Sequence, residues 1–168
     1  MHFLSLCLSV ASLVSYVGAA STFSPARPPA LPLAVKSPYL STWLSAGTDG
    51  GNGGYLAGQW PTFWFVSGGS GQVNGWAGQI RVDGSTYTWM GGIPGTPIVN
   101  QTSYEYTSTS SVFTMRVGDM VEMKITFLSP ITPDDLRRQS LIFSYLDVEV
   151  ESIDGKSHDI QVYSDISA

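Results

Sequence analysis

The sequence holds 168 residues, a length typical of one domain, and its 8 Lys and Arg against 13 Asp and Glu give a formal net charge of −5. Only 12% of residues are charged, while five Trp, eight Tyr and seven Phe make a large aromatic set. This composition excludes a disordered tail, which is poor in aromatics and rich in charge. The few scattered cations also argue against nucleic acid as a partner, because phosphate binding needs a basic face.

An apolar run over residues 3–17 ends in the small residues 18–20 and is too short to cross a bilayer comfortably. It predicts a secretory signal peptide over residues 1–20, cleaved after Ala20 or, as second choice, after Ala19. A buried core helix is the alternative. Cleavage removes Cys7, the only cysteine, so the mature secreted chain is expected to lack disulfides and thiol chemistry. No later apolar run approaches membrane length, so no membrane partner is predicted.

A glycosylation sequon begins at Asn100 and is completed by Thr102. Pro97 precedes it, so we expect a surface loop that carries a glycan in an exported protein. An unoccupied sequon is the alternative.

Residues 21–66 are rich in Pro, Gly and aromatics and show no sustained period. Prolines remove backbone donors and fix φ, so this irregular amino-terminal segment should be extended or looped rather than helical. The glycine-rich stretch 47–58 within it is expected to be an adaptable loop.

Residues 67–168 alternate apolar and polar side chains and form the predicted β-sandwich domain. One hairpin is expected over residues 79–89, with the turn pair Asp83-Gly84, and another over residues 113–127, with the turn at residues 118–119. A single helical turn is plausible at residues 133–138. Further strands follow within residues 140–152 and 160–166.

Six to nine strands joined by short turns, with no crossover helices, predict an all-β fold, an antiparallel β-sandwich. The last strand stops at Ala168 in mid-pattern. The expectation is therefore that the sandwich is truncated at its carboxy-terminal end.

Few residues suggest catalysis or metal binding. His158 is the only histidine after the leader, and beside the Asp154-Gly155 turn it is expected to be a solvated turn residue rather than a ligand. Asp134 and Asp135 are adjacent, so capping a helix explains them better than paired acid–base work. The glycine run 49–54 lacks the second aspartate of a calcium repeat. No metal and no cofactor are predicted, and no nucleophile elbow is found.

The tryptophans are the remaining signal, because all of them fall within one third of the chain. Exposed in a row, such rings would stack on sugars or proline segments, whereas buried rings would form a core or an interdomain face. The interspersed glycines favour close packing. The candidate substrate-binding or interdomain residues are Trp43, Trp60, Trp64, Trp76 and Trp89.

Several long stretches, in this order, resemble the amino-terminal part of the fungal secreted glutaminase A family. They are PPALPLAVKSPYLSTWL (28–44), GQWPTFW (58–64), GWAGQIRVDG (75–84), YTWMG (87–91), RQS (138–140), FSYL (143–146), DG (154–155) and QVY (161–163). The resemblance covers essentially all of the mature chain.

The resemblance implies an extracellular hydrolase that deamidates L-glutamine to L-glutamate and ammonia. It also implies that an amino-terminal β-sandwich pairs with a larger carboxy-terminal helical domain, similar to six-hairpin glycosidases. That helical domain is absent from these residues and is the implied partner. No catalytic residue of the family can be placed on this sequence, so we expect the chain alone to be inactive and structural. A free-standing carbohydrate-binding module and a degenerate product without activity are the alternatives.

Overall fold

The structure, a computed structural model, describes residues 28–47, 52–63 and 72–167. Within these ranges the chain forms eleven β-strands and one short helix. The elements are β1 (Ala30–Ser37), β2 (Leu40–Ser45), β3 (Thr62–Phe63), β4 (Gln72–Val73), β5 (Gly75–Val82), β6 (Ser85–Met90), β7 (Asn100–Tyr106), β8 (Ser110–Val117), β9 (Val121–Leu128), α1 (Leu136–Gln139), β10 (Tyr145–Ser152) and β11 (Ile160–Ser167).

The strands assemble into three antiparallel sheets that pack together, which confirms the predicted all-β sandwich. Sheet I has the order β1-β2-β3-β4, sheet II the order β10-β9-β8-β7, and sheet III the order β11-β5-β6. The strands number eleven rather than six to nine because two longer strands, β1 and β2, and two short ones, β3 and β4, form within the amino-terminal segment and just after it.

Both predicted hairpins are confirmed. The β5–β6 turn places Asp83 at φ 47° and Gly84 at φ 88°, the left-handed conformations that a two-residue hairpin loop requires. In the β8–β9 hairpin, alternate residues of both strands are buried, because every second side chain points into the core. The hairpin register runs without a shift from Ser110 opposite Leu128 to Val117 opposite Val121.

The amino-terminal segment is more regular than expected, because residues 30–45 form two paired strands rather than loop. The β1–β2 register slips between Pro32 and Ala34, and again between Val35 and Ser37. A proline has no N–H to give to the ladder, so a strand that contains one tends to bulge at that point. These bulges hide the period of two in the sequence.

Hydroxyl groups from neighbouring elements bond to the backbone of β1 beside its two register shifts. The Ser111 hydroxyl donates to the Pro32 carbonyl at 2.7 Å, and the Val35 N–H donates to the Ser129 hydroxyl at 2.8 Å. Both serines are buried. Sheet I is thereby fastened to sheet II through polar contacts inside the core.

The hydrophobic core draws on all three sheets. A T-shaped ring contact joins Trp76 of sheet III to Phe127 of sheet II, with ring centroids 5.3 Å apart. Phe127 in turn contacts Phe113 at 5.9 Å. The largest fully buried side chains are Trp89, Phe113, Phe127, Leu31, Leu33, Leu44, Leu56, Ile80, Met90, Met115, Met123 and Ile125.

The helical turn expected at residues 133–138 is present as the short helix α1, which contains no buried residue. The Asp135 carboxylate caps it by accepting a hydrogen bond from the Arg138 N–H at 3.0 Å. Capping is therefore the structural role of this aspartate, as predicted. Behind α1, the Lys36 ammonium donates to the Pro130 carbonyl and to the Gln139 amide oxygen.

Strands β10 and β11 are consecutive in the chain but belong to different sheets. β10 pairs with β9, and β11 pairs with β5. Among the described residues, neither strand has a partner on its other side. The sandwich is therefore open between these two edges.

Some predictions fall on residues outside those described. They are the leader at residues 1–20, Trp64, and residues 49–51 of the glycine run 49–54. The boundary between residues 66 and 67 also lies there and stays a prediction.

Candidate functional site: a groove between two sheet edges

One wall of the open side is the inner face of β11. The pairing of Ile166 with Trp76 and of Val162 with Ile80 places these β11 side chains on the same face as core residues of β5. Trp76 and Ile80 are buried, yet Val162 is 45% exposed and Ile166 is 58% exposed. Apolar side chains on the inward face of β11 therefore lack a covering layer.

The opposite wall is the start of β10 and the segment that leads into it. Ile142, Phe143 and Tyr145 are each more than half exposed. Ser144 between them is fixed, because its hydroxyl donates to the Leu128 carbonyl at 3.1 Å. A firmly held backbone thus presents apolar side chains to solvent.

Between the walls lies a groove of about 350 Å³, floored by residues of sheet I and by Trp76. Two polar groups of its lining are hydrogen-bonded: the Asn74 amide donates to the Thr42 hydroxyl at 2.9 Å, and the Trp76 indole N–H donates to the Ser164 hydroxyl of β11 at 3.1 Å. The lining residues are Ala34, Tyr39, Leu40, Thr42, Phe63, Asn74, Trp76, Ile142, Phe143, Ser144, Tyr145, Leu146 and Ile166. Since the groove is mainly apolar and holds no charged side chain, it suits packing better than hydrolysis.

A cluster of three titratable side chains lies on a different part of the surface. The His158 ring nitrogen Nδ1 is 2.6 Å from Asp83 Oδ2, and Nε2 is 2.9 Å from Asp154 Oδ1. Asp83 belongs to the β5–β6 turn and Asp154 to the β10–β11 connection, so the imidazole joins two turns. The expectation of a solvated turn residue is wrong for His158, whose side chain is only 7% exposed.

Hydrogen bonds set the protonation of this cluster. The bonds to Asp83 and then to Asp154 raise the pKa of His158 above its usual 6.5. The same bonds to His158 lower the pKa of both aspartates. Because both ring nitrogens are taken by carboxylates, the imidazole has no free nitrogen with which to act on a substrate.

The candidate tryptophans lie at separate places in the fold. Trp89 is fully buried, and its indole N–H donates to the Gln79 carbonyl at 3.0 Å. Trp76 forms the floor of the groove, whereas Trp60 lies against Gly91 and Gly92. Trp43 is half-buried in β2 and donates to the Ser41 hydroxyl at 3.0 Å. The described rings therefore do not form an exposed row.

The sequon residue Asn100 is the first residue of strand β7 and is half-buried, so it does not lie in the expected surface loop. The Thr102 hydroxyl donates to the Thr114 carbonyl at 3.2 Å. The strand extends here because its backbone pairs with β8 from Asn100 onward. Glycosylation at Asn100 stays a prediction.

The described residues offer neither a metal cluster nor a membrane-spanning helix. No group of three or more His, Cys, Asp or Glu side chains is arranged to hold a metal ion. No helix in the described ranges has the length and apolar character needed to span a bilayer.

Comparison with known proteins gives two kinds of match. A family model described as a domain of unknown function (DUF5127) matches residues 109–168. The chain is 89% identical over 168 residues to Glutaminase A of Aspergillus oryzae. This match covers 100% of the chain and 24% of that protein. The chain is also 30% identical over 156 residues to a "Probable glutaminase" of Arthroderma benhamiae. This match covers 83% of the chain and 16% of that protein. No solved structure matches.

The fold and the groove define an all-β sandwich region with an open apolar side. Across its whole length this region is similar to a part of Glutaminase A of Aspergillus oryzae, a much longer protein. The chain spans about a quarter of the length of the Aspergillus relative and less of the other.

Proposed function

We propose that this chain is the amino-terminal β-sandwich portion of a secreted amidohydrolase that converts L-glutamine to L-glutamate and ammonia. The observation that carries the proposal is the 89% identity to Glutaminase A across all 168 residues. On this proposal, most of the enzyme lies outside the region described.

The role of the sandwich in that enzyme is structural. Its only described histidine is held between two carboxylates, and its groove is mainly apolar with no charged side chain in its lining. Catalysis of amide hydrolysis needs an activated nucleophile or water and a base within reach. The partner that supplies this chemistry is the carboxy-terminal helical domain of the same polypeptide.

The test uses the full-length secreted protein and the release of ammonia from L-glutamine. We expect His158→Gln to lower the melting temperature while kcat stays near the wild-type value at a temperature where both proteins are folded. Lys156→Gln is the matched control, since it alters an exposed side chain of the same turn. A large loss of kcat in His158→Gln with an unchanged melting temperature would contradict a purely structural role.

Export is part of the proposal and rests on the apolar leader at residues 1–20. We expect the secreted protein to begin at Ser21, as read by amino-terminal sequencing. A shift in mobility on enzymatic deglycosylation, lost in Asn100→Gln, tests the sequon in the same preparation. Retention of the leader in the protein recovered from the medium would contradict signal cleavage.

A carbohydrate-binding module is the second candidate, favoured by the exposed aromatic side chains along the groove. Tyr39 is 89% exposed at its rim, with Phe143 and Tyr145 on the far wall. Trp76 on the floor would report a bound sugar through its fluorescence. Titration with glucan and mannan oligosaccharides tests this candidate, and an unchanged emission spectrum counts against it.

A further inference from the structure

Strand β11 presents an unpaired edge whose backbone orientation can be worked out from one hydrogen bond. The Asp83 N–H donates to the Asp159 carbonyl at 3.0 Å, immediately before β11 begins. In an antiparallel ladder, directly opposed residues alternate between hydrogen-bonded and non-hydrogen-bonded pairs. Gln161, Tyr163 and Asp165 therefore bond to β5.

The alternate residues of β11 direct their backbone groups away from β5. Val162, Ser164 and Ile166 turn their N–H and C=O groups toward the free edge, where no described strand pairs with them. Their side chains lie on the inward face beside the groove, so the edge combines free backbone donors and acceptors with an apolar surface.

This edge carries few of the features that keep an exposed strand from pairing. Residues 160–167 contain no proline and no lysine. Their single charged residue is Asp165, whose carboxylate accepts a hydrogen bond from the Tyr163 hydroxyl at 3.0 Å. The strand is eight residues long and exposed along almost its whole length. Such an edge is a template for a further strand.

We infer that an extended segment of the polypeptide that follows residue 168 in the full-length protein pairs with the free edge of β11. Its inward side chains fill the groove between β10 and β11. The inference rests on the proposed function, and the occupant is chosen because the matched region is 24% of the length of the Aspergillus relative. A segment of the same polypeptide has a high effective concentration at this edge, whereas binding of a second copy requires a high protein concentration.

Residue-resolved hydrogen exchange on the full-length protein tests the inference. We expect the amides of Val162, Ser164 and Ile166 to exchange about 100-fold or more slowly than in an unstructured chain. Gln161, Tyr163 and Asp165 are internal controls, because β5 protects them in either case. Unprotected amides at 162, 164 and 166 beside protected amides at 161, 163 and 165 would overturn the inference.

Concentration separates the same-chain segment from a second copy. Protection by the same polypeptide is independent of concentration and occurs in a monomer by gel filtration. Protection that disappears on dilution together with a dimer peak would assign the edge to a second copy and overturn the inference.

A proline substitution gives a second measurement on the full-length protein. Val162→Pro removes an N–H directed at the free edge, and Val162→Ala is the matched control for the lost side chain. Proline is tolerated where a strand N–H faces solvent and is disruptive where that N–H is paired. We expect Val162→Pro to melt at a clearly lower temperature than Val162→Ala, whereas equal melting temperatures would overturn the inference.

The glutaminase assay on the same preparation keeps the two proposals apart. Ammonia release together with unprotected amides at 162, 164 and 166 would refute the added strand and leave the proposed function standing. Protected amides in a protein that does not hydrolyse glutamine would refute the proposed function instead.

Discussion

His158 links two turns that are far apart in the sequence, and its ionic partners make the link dependent on pH. A raised histidine pKa contributes stability that is fully present below pH 6.5 and is lost as pH rises through the folded-state pKa. The lowered aspartate pKa values contribute stability above about pH 3.8 that is lost as pH falls. The link should therefore be strongest between these two limits.

We expect His158→Gln to reduce the free energy of unfolding more at pH 6 than at pH 9. Urea titrations of both proteins at several pH values measure the difference. Lys156 also faces this cluster, with its ammonium 3.4 Å from Asp154 Oδ2, and the Asp159 N–H donates to Asp83 Oδ1 at 2.9 Å. Lys156→Gln is the control and should give a small effect at both pH values. An effect of His158→Gln that is equal at pH 6 and pH 9 would contradict the prediction.

Gly78 is required because the Trp89 ring lies directly over it. A Cβ atom at this position would overlap the six-membered ring of Trp89, which is fully buried. We expect Gly78→Ala to destabilise the fold by about 1–3 kcal/mol, the usual cost of overpacking a core. Chemical denaturation measures this change.

A double-mutant cycle tests the physical cause. Trp89→Phe makes room for the new methyl group, so adding Gly78→Ala to it should cost less than adding Gly78→Ala to the wild type. If the two substitutions are additive, contact with the Trp89 ring is not the reason for glycine at position 78.

At the scale of elements, β1 depends on hydroxyl groups that other strands and loops supply. Removing the Ser111 hydroxyl takes away a buried hydrogen bond that the Pro32 carbonyl accepts, so we expect Ser111→Ala to cost about 1–3 kcal/mol. Ser103→Ala, at an exposed position of β7, is the control and should change stability by less than about 0.5 kcal/mol. Equal melting curves for Ser111→Ala and the wild type would refute this dependence.

The sequence predicted the elements whose alternation is unbroken and missed those in which it is interrupted. The hairpins around Asp83-Gly84 and residues 118–119 follow from period-two patterns and turn residues. Strand β1 was expected to be irregular because Pro32 and two register shifts hide its period. The His158 link was missed because Asp83 is 75 positions away along the chain, and no local pattern reports such a contact.

The groove was beyond sequence reasoning for a related reason. It forms because the consecutive strands β10 and β11 belong to different sheets. That topology depends on the pairing of β10 with β9 and of β11 with β5. A run of apolar residues such as 141–145 is typical of a segment buried on both sides, yet Phe143 and Tyr145 are more than half exposed in the region described. Cover from the rest of the polypeptide would reconcile the two observations.

At the scale of the whole molecule, this cover predicts a contrast between two aromatic substitutions in the full-length protein. Phe143→Ala should lower the melting temperature by about 5 °C or more if the ring is buried against the following domain. Tyr106→Ala, on β7 and 45% exposed, is the control and should have little effect. Thermal melts followed by circular dichroism measure both, and equal small shifts would count against a covered groove.

The crossing of the chain from sheet II to sheet III has a consequence for limited proteolysis. Arg137 and Arg138 form the only adjacent arginine pair of the sequence, and both are exposed in α1. A tryptic nick there would separate β10 and β11 covalently from the preceding strands. The carboxy-terminal fragment would nevertheless stay bound, because its strands β10 and β11 pair with β9 and β5 over eight residues each. The nicked molecule should migrate as one species under native conditions and as two bands after boiling in detergent, so this site suits a split-protein design.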